Sequence, residues 1–219
     1  ALLRIHDKNG NFISPAEAIP ILEESGLIIP VGKWIIQNAF SMCTECRKYY
    51  PEFRVSINLS YVQILKSPLM MELKQIIEHS GISCSGIIVE LTESGYLEGT
   101  PAVRSVWNDM KKLRIQIALD DFGTGYSNLM NISNLEPDIV KLDRGFTLKA
   151  LSRSYEYQLM QYVIEMVHKL NQFVCVEGVE TKEDLEKIKA LGPDLIQGYY
   201  YSKPCSRDEF LKKFFGYSE

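Results

Sequence analysis

The residues best suited to chemistry are two adjacent aspartates, Asp120 and Asp121, within the sequence IQIALDDFGTGYS over 115–127. An apolar predicted strand precedes them and a Gly-Thr-Gly loop follows. Successive side chains of an extended strand point to opposite faces, so two neighbouring carboxylates can address two different points or hold one site from two sides. Aspartate and glycine are also ordinary turn residues, and a strand with a polar turn explains this stretch equally well when it is taken alone.

Other predicted strands also end in polar residues. The residues at these strand ends are Asn58 in INLS, Glu90 in VELTES, Lys141 in IVKLD, Glu177 in VEGVE and Gln197 in IQGY. Each one alone is consistent with a polar residue that leaves a core strand. Six strands that all end in this way are hard to reconcile with that explanation. In a parallel barrel the carboxyl ends of the strands meet on one face, where active sites lie.

Gathered carboxylates require positive charge. Two carboxylates about 5 Å apart repel by roughly 3 kcal/mol at an effective dielectric constant near 20. A group of acidic residues offset only by Lys141 would take up protons or bind metal. Oxygen ligands without histidine or cysteine favour Mg²⁺ or Mn²⁺, and adjacent aspartates suit two ions. Two-metal sites activate water and stabilise in-line phosphoryl displacement, so the residues alone predict a metal-dependent phosphoester hydrolase.

The composition limits the function classes. The chain has 219 residues, of which 46% are hydrophobic and 24% charged, enough for one large α/β domain or two small ones. Its formal net charge of −4 argues against DNA or RNA polymers as partners, although a small phosphate substrate held by a metal stays possible. We find no apolar run long enough to span a bilayer and no signal-peptide pattern, so we expect no membrane contact by this domain.

The cysteines and histidines do not form a metal motif. Cys43 and Cys46 form one CxxC among five cysteines, but no second CxxC or well-spaced histidine pair completes a zinc site. We therefore interpret them as plain thiols on a helix, and the cysteine usage as that of a reducing, cytoplasmic compartment. The scattered histidines are interpreted as structural or exposed.

Strands and helices alternate along the whole chain, without a linker or an obvious repeat. Seven strands are predicted, at ALLRI, 53–60, 86–94, the 115–121 stretch, 138–143, 173–180 and 195–202. Helices are predicted from Ser14 to about Ser25, over Val31–Lys48, from Ser67 to Gly81, after Thr100, over about 127–133, over about 152–171, from Thr181 to Gly192 and after Ser206.

The apolar strands indicate a parallel sheet that is covered on both faces. Two folds are then compatible with the sequence, an open doubly wound sheet and a (β/α)8 barrel. A barrel needs eight strands, and the short strand at Ala1 suggests that another lies upstream. We therefore favour an α/β fold of the (β/α)8 TIM type whose first strand is missing upstream of Ala1. The segment 1–219 would be one N-terminally incomplete domain of a longer protein.

The motifs ALLR, NLS, ELTES, DDFGTGYS, KLDR, VEGVE and QGYYYSKP occur in this order and spacing. Together they resemble the EAL-domain family of bacterial cyclic di-GMP phosphodiesterases, over almost the whole chain. The resemblance implies a modified (β/α)8 barrel with one antiparallel strand. It also implies hydrolysis of one phosphodiester of cyclic di-GMP to linear pGpG, with Mg²⁺ or Mn²⁺ as the cofactor.

The resemblance further implies a role for each matching residue. The residues implied as metal ligands are Asn58, Glu90 and Asp120 for the first ion, and Asp120, Asp121 and Glu177 for the second. Glu177 would also assist the attacking water, Lys141 would position that water, and Arg4 and Gln197 would contact the substrate near its phosphate. Glu180 would belong to the catalytic residues as a group that supports the others, and Glu93 would brace the glycine-rich loop. The loop of Phe122, Gly123, Thr124 and Gly125 would couple metal binding to dimerisation.

One departure from the family pattern leaves alternatives open. The glutamate that names the family should directly precede Ala1, and without it a first-metal ligand would be lost. A non-catalytic cyclic di-GMP receptor is therefore one alternative, and another metal-dependent barrel enzyme, such as an enolising one with Lys141 as the base, is a second. The resemblance also implies a homodimer, an upstream sensory or cyclase-like domain, and a cytoplasmic location, alone or as part of a membrane-anchored protein.

Overall fold

The computed structural model describes residues 1–92, 100–124, 132 and 135–216. The chain divides into two compact units. The first unit comprises Ala1–Glu90, Glu98–Gln116 and Arg207–Glu219, and the second comprises Leu91–Leu97 and Ile117–Ser206.

Most strands from β3 onward are followed by one or two helices. The strands are β1 (Ile5–His6), β2 (Phe12–Ile13), β3 (Val55–Asn58), β4 (Ile87–Thr92), β5 (Gln116–Phe122), β6 (Ile139–Leu142), β7 (Phe173–Val176) and β8 (Leu195–Ile196). The helices are α1 (Pro15–Ser25), α2 (Ile28–Cys46), α3 (Tyr61–Lys66), α4 (Leu69–Ser80), α5 (Pro101–Lys112), α6 (Arg144–Ser152), α7 (Ser154–Lys169), α8 (Lys182–Lys189) and α9 (Arg207–Phe215), with a 3₁₀ turn at Cys84–Gly86.

The main sheet has six strands in the order β3-β4-β5-β6-β7-β8. The pairs β3/β4, β5/β6, β6/β7 and β7/β8 are parallel, which confirms the predicted parallel α/β class. The sheet core consists of buried aliphatic side chains, as expected for strands covered on both faces. Examples are Ile57 and Ile87 in the first unit and Leu119, Val140, Leu142 and Val174 in the second.

Local capping signals determine several helix ends in the first unit. The Ser14 side chain accepts a hydrogen bond from the Ala16 N–H, and Gly26 ends α1 at φ 77°. Glycine adopts this left-handed conformation without steric cost. Cys43 and Cys46 both lie on α2 as free thiols, which confirms their interpretation as plain helix thiols, and the structure places both in the core.

The first predicted strand is wrong in its position. Residues 1–4 form no strand, and Ile5–His6 pairs antiparallel with Phe12–Ile13 in a separate hairpin. The turn forms because the Asp7 carboxylate accepts hydrogen bonds from the backbone N–H groups of Asn9 and Asn11, both at 2.8 Å. Such local side-chain bonds compete with a continuous strand.

Two short helices, α3 and α6, are absent from the prediction. Both begin at a capping residue that follows a strand. Ser60 forms a capping box with Gln63, and the Asp143 carboxylate accepts the Gly145 N–H at 2.7 Å. The predicted helix over about 152–171 is α7 alone, while α6 precedes it and ends at Ser152.

The buried face of α7 also differs from the prediction. The hydrophobic pattern predicts Leu159, Tyr162, Val163, Met166 and Leu170 on the inner face, but Leu159, Tyr162 and Leu170 are exposed. The buried residues are Met160, Ile164 and Val167. Both sets have helical spacing, so the periodicity alone does not decide which one faces the sheet.

The last strand is shorter than predicted. β8 ends at Ile196, and the chain then turns, with the Tyr201 N–H donating to the Gly198 carbonyl at 3.1 Å. A Cβ on Gly198 would lie only 2.0 Å from the Val179 carbonyl oxygen, so glycine permits this close approach of two backbone segments. The helix predicted over about 127–133 falls, apart from Ile132, outside the described residues.

No helix in the described part of the chain combines the length and apolar character that crossing a membrane requires.

Candidate active site

In the second unit, the two aspartates lie at an irregularity of β5. Leu119 pairs with Val140 and Phe122 with Leu142, so β5 has one residue more than β6 over this stretch. Asp121 has φ 61°, in the left-handed region, and its N–H donates to the Asp120 carboxylate at 3.0 Å. Bulges next to active sites redirect side chains, and aspartate tolerates the left-handed conformation better than most residues.

Lys141 joins two of the predicted site residues. Its ammonium group lies 3.0 Å from the Asp120 Oδ1 atom and 2.8 Å from the Glu177 Oε1 atom. The Lys141 side chain is 6% exposed, and the two carboxylate side chains are 13% and 18% exposed. Parallel pairing of β6 with the strands on either side of it places these residues together. The second unit therefore has a largely buried ammonium between two carboxylates.

The segment that begins with Glu177 is fixed by backbone bonds. The Glu177 N–H donates to the Leu142 carbonyl at 3.1 Å, and the Val179 N–H donates to the Gln197 carbonyl at 3.3 Å. The Gln197 N–H in turn donates to the Val176 carbonyl at 2.9 Å. Gln197 is exposed, so its side chain is accessible where β8 ends.

Glu180, predicted to support the catalytic groups, forms an ion pair. Its Oε1 atom accepts hydrogen bonds from Arg144 Nε at 3.2 Å and Nη2 at 2.8 Å. The hydrogen bond from Arg144 to Glu180 raises the pKa of the arginine above its ordinary value. The pair is exposed, since the side chains of Arg144 and Glu180 are 58% and 37% accessible.

The predicted glycine-rich loop is described as far as Thr124. Phe122 is buried, and Gly123 has φ 104° with a Cβ position only 2.9 Å from the Phe146 ring. The Thr124 hydroxyl donates to the Asp121 carbonyl at 3.1 Å. Both the backbone angle and the adjacent ring require glycine at position 123. Gly125 and Glu93 lie outside the described residues.

In the first unit, Asn58 and Glu90 are register partners in the parallel pair β3/β4. Asn58 is the last residue of β3, and Glu90 lies two residues before the end of β4. The Leu59 N–H donates to the Glu90 carbonyl at 3.0 Å, which continues the pairing beyond β3. Asn58 is exposed, whereas Glu90 is 6% exposed. An amide and a carboxylate are thus neighbours, and both can supply oxygen ligands.

Arg4, the predicted phosphate contact, is an exposed side chain of the first unit. Its Nη1 atom donates to the Leu3 carbonyl at 2.9 Å, and its guanidinium carbon lies 6.0 Å from the centroid of the Phe12 ring. These contacts place the guanidinium beside the β1/β2 hairpin. The planar group retains further N–H donors, which suit bidentate contact with phosphate oxygens.

The donors of each unit fit a hard divalent cation in kind, because they are carboxylate and amide oxygens. In the second unit, Asp120 and Glu177 also converge on one positive group, the Lys141 ammonium. No three histidine, cysteine, aspartate or glutamate side chains within the described residues group closely enough to hold a metal ion. The ligand sets for two ions therefore stay predictions.

Sequence reasoning missed two members of the second unit's site, Arg144 and Gly178. Arg144 is the last residue of the KLDR motif, and Gly178 follows Glu177 in VEGVE. Gly178 has φ 79°, with Arg144 packed against it. A glycine directly after a predicted catalytic carboxylate is a signal for such a close approach.

Comparison with known proteins supports the resemblance to the EAL-domain family. The EAL domain family model matches residues 1–204 of the chain. Cyclic di-GMP phosphodiesterase PdeF of Escherichia coli strain K12 is 32% identical over 203 residues, which are 93% of this chain and 27% of PdeF. The chain thus spans about a quarter of the length of this relative.

Solved structures show the same fold. A complex of the phosphodiesterase PaMucR with c-di-GMP has a TM-score of 0.88 at 27% identity, covering 96% of this chain and 86% of that one. The EAL enzyme Bd1971, bound to cAMP and cyclic di-GMP, has a TM-score of 0.91 at 30% identity, covering 97% and 58%. These neighbours are EAL domains, whose fold is a TIM-like barrel, so the predicted fold class is confirmed.

Proposed function

Because the chain belongs to the EAL-domain family, we propose that it is a metal-dependent phosphodiesterase that hydrolyses one phosphodiester of cyclic di-GMP to linear pGpG. The observation that best supports this function is the placement of Lys141 between Asp120 and Glu177, at 3.0 and 2.8 Å. A non-catalytic receptor has no need of an ammonium and a carboxylate held together beside further acidic residues.

Glu177 is the proposed general base. A carboxylate takes a proton from water when it lies within hydrogen-bond distance of that water and stays ionised. The Lys141 ammonium, 2.8 Å from Glu177 Oε1, favours the ionised form. Lys141 can also direct an N–H toward a water oxygen and so orient its lone pair toward phosphorus.

Mg²⁺ or Mn²⁺, as two bound ions, would supply Lewis-acid activation of water and neutralise charge on the phosphoryl group. In the second unit, the proposed ligands are Asp120, Asp121 and Glu177. In the first unit, they are Asn58 and Glu90. These assignments rest on the family motifs and on the chemistry of the donors.

Gln197 and Arg4 are proposed to contact the substrate. The Gln197 amide has both donors and an acceptor, and its exposed position at the end of β8 leaves them accessible. The Arg4 guanidinium is exposed as well and suits a phosphate. We further propose that the protein acts in the cytoplasm as a homodimer, downstream of a sensory or cyclase-like domain.

The proposed function is tested by hydrolysis of cyclic di-GMP, with products separated by chromatography. The assay uses this chain and an extended protein, in which a strand that ends in glutamate is added directly before Ala1, each with Mg²⁺, with Mn²⁺ and with excess EDTA. We expect pGpG from the extended protein with either ion and none with EDTA. Binding of cyclic di-GMP without turnover would favour the receptor alternative, and turnover that survives EDTA would contradict the proposed metal dependence.

A further inference from the structure

Arg144 occupies a position that helix formation does not explain. It is the first residue of α6, two positions after the end of β6 and three positions after Lys141. The amino end of a helix carries partial positive charge, so an arginine in the first turn is electrostatically unfavourable there. Asp143 already caps this helix through the Gly145 N–H. The side chain therefore has another role.

The aliphatic stem of Arg144 lies over Gly178. A Cβ at position 178 would be 2.4 Å from the Arg144 Cγ atom and 2.9 Å from its Cβ atom. Gly178 also has φ 79°, which other L-residues rarely adopt. The residue after the proposed base is thus held beneath the first turn of α6.

The guanidinium of Arg144 reaches two residues farther along the same segment. Its Nε and Nη2 atoms both donate to the Glu180 carboxylate, at 3.2 and 2.8 Å. Charge-assisted pairs with two N–H donors fix orientation as well as distance. Arg144 therefore joins the start of α6 to the segment 177–180 at two positions, Gly178 and Glu180.

We propose that Arg144 is a positioning residue that acts through Glu177, by holding segment 177–180 so that the Glu177 carboxylate faces Lys141. The Glu177 N–H bond to Leu142, at 3.1 Å, fixes the start of the segment, and Arg144 fixes the residues that follow. This role rests on the proposed function, in which Glu177 activates the attacking water.

The test compares four single variants of the extended protein, and one double variant that combines Arg144→Met with Glu180→Gln. Arg144→Met keeps most of the stem and removes the guanidinium, Arg144→Lys keeps a charge, and Glu180→Gln keeps a hydrogen-bond acceptor. The matched control is Arg153→Met, since Arg153 is 68% exposed and pairs with Glu156 at 3.2 Å in the same unit. Exposed ion pairs contribute little to global stability, so all four variants are expected to fold.

The first measurement is hydrogen exchange of the backbone amides at 177–180, which does not depend on activity. We expect exchange to accelerate about tenfold in Arg144→Met, less in Arg144→Lys, and under about twofold in Arg153→Met. Exchange at 177–180 that stays at the wild-type rate in Arg144→Met overturns the proposal.

The second measurement is steady-state hydrolysis. We expect Arg144→Met to lower kcat about tenfold with KM within about twofold, because a misplaced base affects the transition state more than binding. Arg144→Lys should restore part of kcat, and adding Glu180→Gln to Arg144→Met should lower it no further, since the two residues act as one contact. Unchanged kcat, or additive losses, would overturn the proposal. An inactive wild-type protein would defeat the proposed function itself, and amide exchange would then decide whether Arg144 holds this segment.

Discussion

Replacing Lys141 with methionine should destabilise the protein because it leaves two carboxylates facing each other. The variant keeps an apolar stem of similar length but removes the ammonium that lies 3.0 Å from Asp120 and 2.8 Å from Glu177. Both oxygens adjoin one nitrogen, so they are at most about 6 Å apart, and at an effective dielectric constant near 20 they repel by about 3 kcal/mol. Removing one partner of a buried ion pair typically costs about 3–5 kcal/mol. Because the carboxylates keep some solvent contact, we expect about 3 kcal/mol.

The assay is urea unfolding followed by circular dichroism, at pH 8 and at pH 5. Carboxylates that repel each other take up a proton more readily than isolated ones. The destabilisation is therefore largest at high pH, where both are ionised, and decreases as the pH falls. The control is Lys182→Met, since the Lys182 side chain is 77% exposed and its ammonium lies 3.9 Å from Glu186. Such a surface pair should contribute under about 0.5 kcal/mol.

Three results would refute this reasoning about Lys141. The first is a loss under about 1 kcal/mol at pH 8, where a desolvated ammonium should matter most. The second is a loss equal to that of Lys182→Met. The third is a destabilisation that grows as the pH falls, which would mean that repulsion between carboxylates is not its cause.

Further predictions concern the backbone at Asp121, the hydrogen bond between Asp194 and Val174, and the reactivity of two thiols. Asp121 has a left-handed backbone, with φ 61°, which asparagine tolerates better than alanine does. The Asp121→Ala variant should therefore be about 1 kcal/mol less stable than Asp121→Asn in thermal unfolding. Equal stabilities would contradict a left-handed backbone at this position. The Asp194 carboxylate accepts the Val174 N–H at 2.7 Å, so Asp194→Ala should cost about 1–3 kcal/mol in urea unfolding, whereas a neutral result would show that water replaces the bond. Burial raises the pKa of the Cys46 thiol to about 11. We therefore expect iodoacetamide at pH 8 to modify the exposed Cys205 at least about 100-fold faster than Cys46, as measured by mass spectrometry. Similar rates for the two cysteines would contradict the burial of Cys46.

Local side-chain chemistry made much of the fold predictable. Ser14, Thr100 and Thr181 each accept a backbone N–H at the helix start where the sequence places it. Capping of this kind needs only residues a few positions apart, so a sequence displays it directly. Ser60 and Asp143 carry the same signal for α3 and α6, which escaped prediction because both follow directly on a strand.

Contacts between distant segments were less accessible to sequence reasoning. Gly198 ends the predicted last strand early because it packs on the Val179 backbone, a contact with no local signature. Asp138 and Asp194 each make the same kind of contact with a strand, which was also not predicted. Each follows a proline, and each carboxylate accepts a backbone N–H from a neighbouring strand, at Ile117 and Val174. These hydrogen bonds can be recognised only when the register of the neighbouring strands is known.

In the candidate site, too, local features were predictable and contacts between distant segments were not. Polar residues at strand ends indicated Lys141 and Glu177, and parallel pairing explains why they meet. Lys141 was predicted to offset the acidic residues, but its burial between Asp120 and Glu177 was not, because that depends on strand register and on a bulge in β5. Arg144 was overlooked because its role requires a glycine more than thirty positions away.

The most direct test of the proposed function is the rate of pGpG formation from cyclic di-GMP by the extended protein, compared with its Glu177→Gln variant under the same Mg²⁺ or Mn²⁺ concentration. Glu165→Gln, an exposed glutamate that accepts a hydrogen bond from Gln161, is the matched control. We expect turnover by wild type and control, and a loss of about 10²–10⁴-fold in Glu177→Gln, the range for a general base. Near wild-type turnover by Glu177→Gln, or no pGpG from a wild-type protein that binds the dinucleotide, would contradict the proposed phosphodiesterase mechanism.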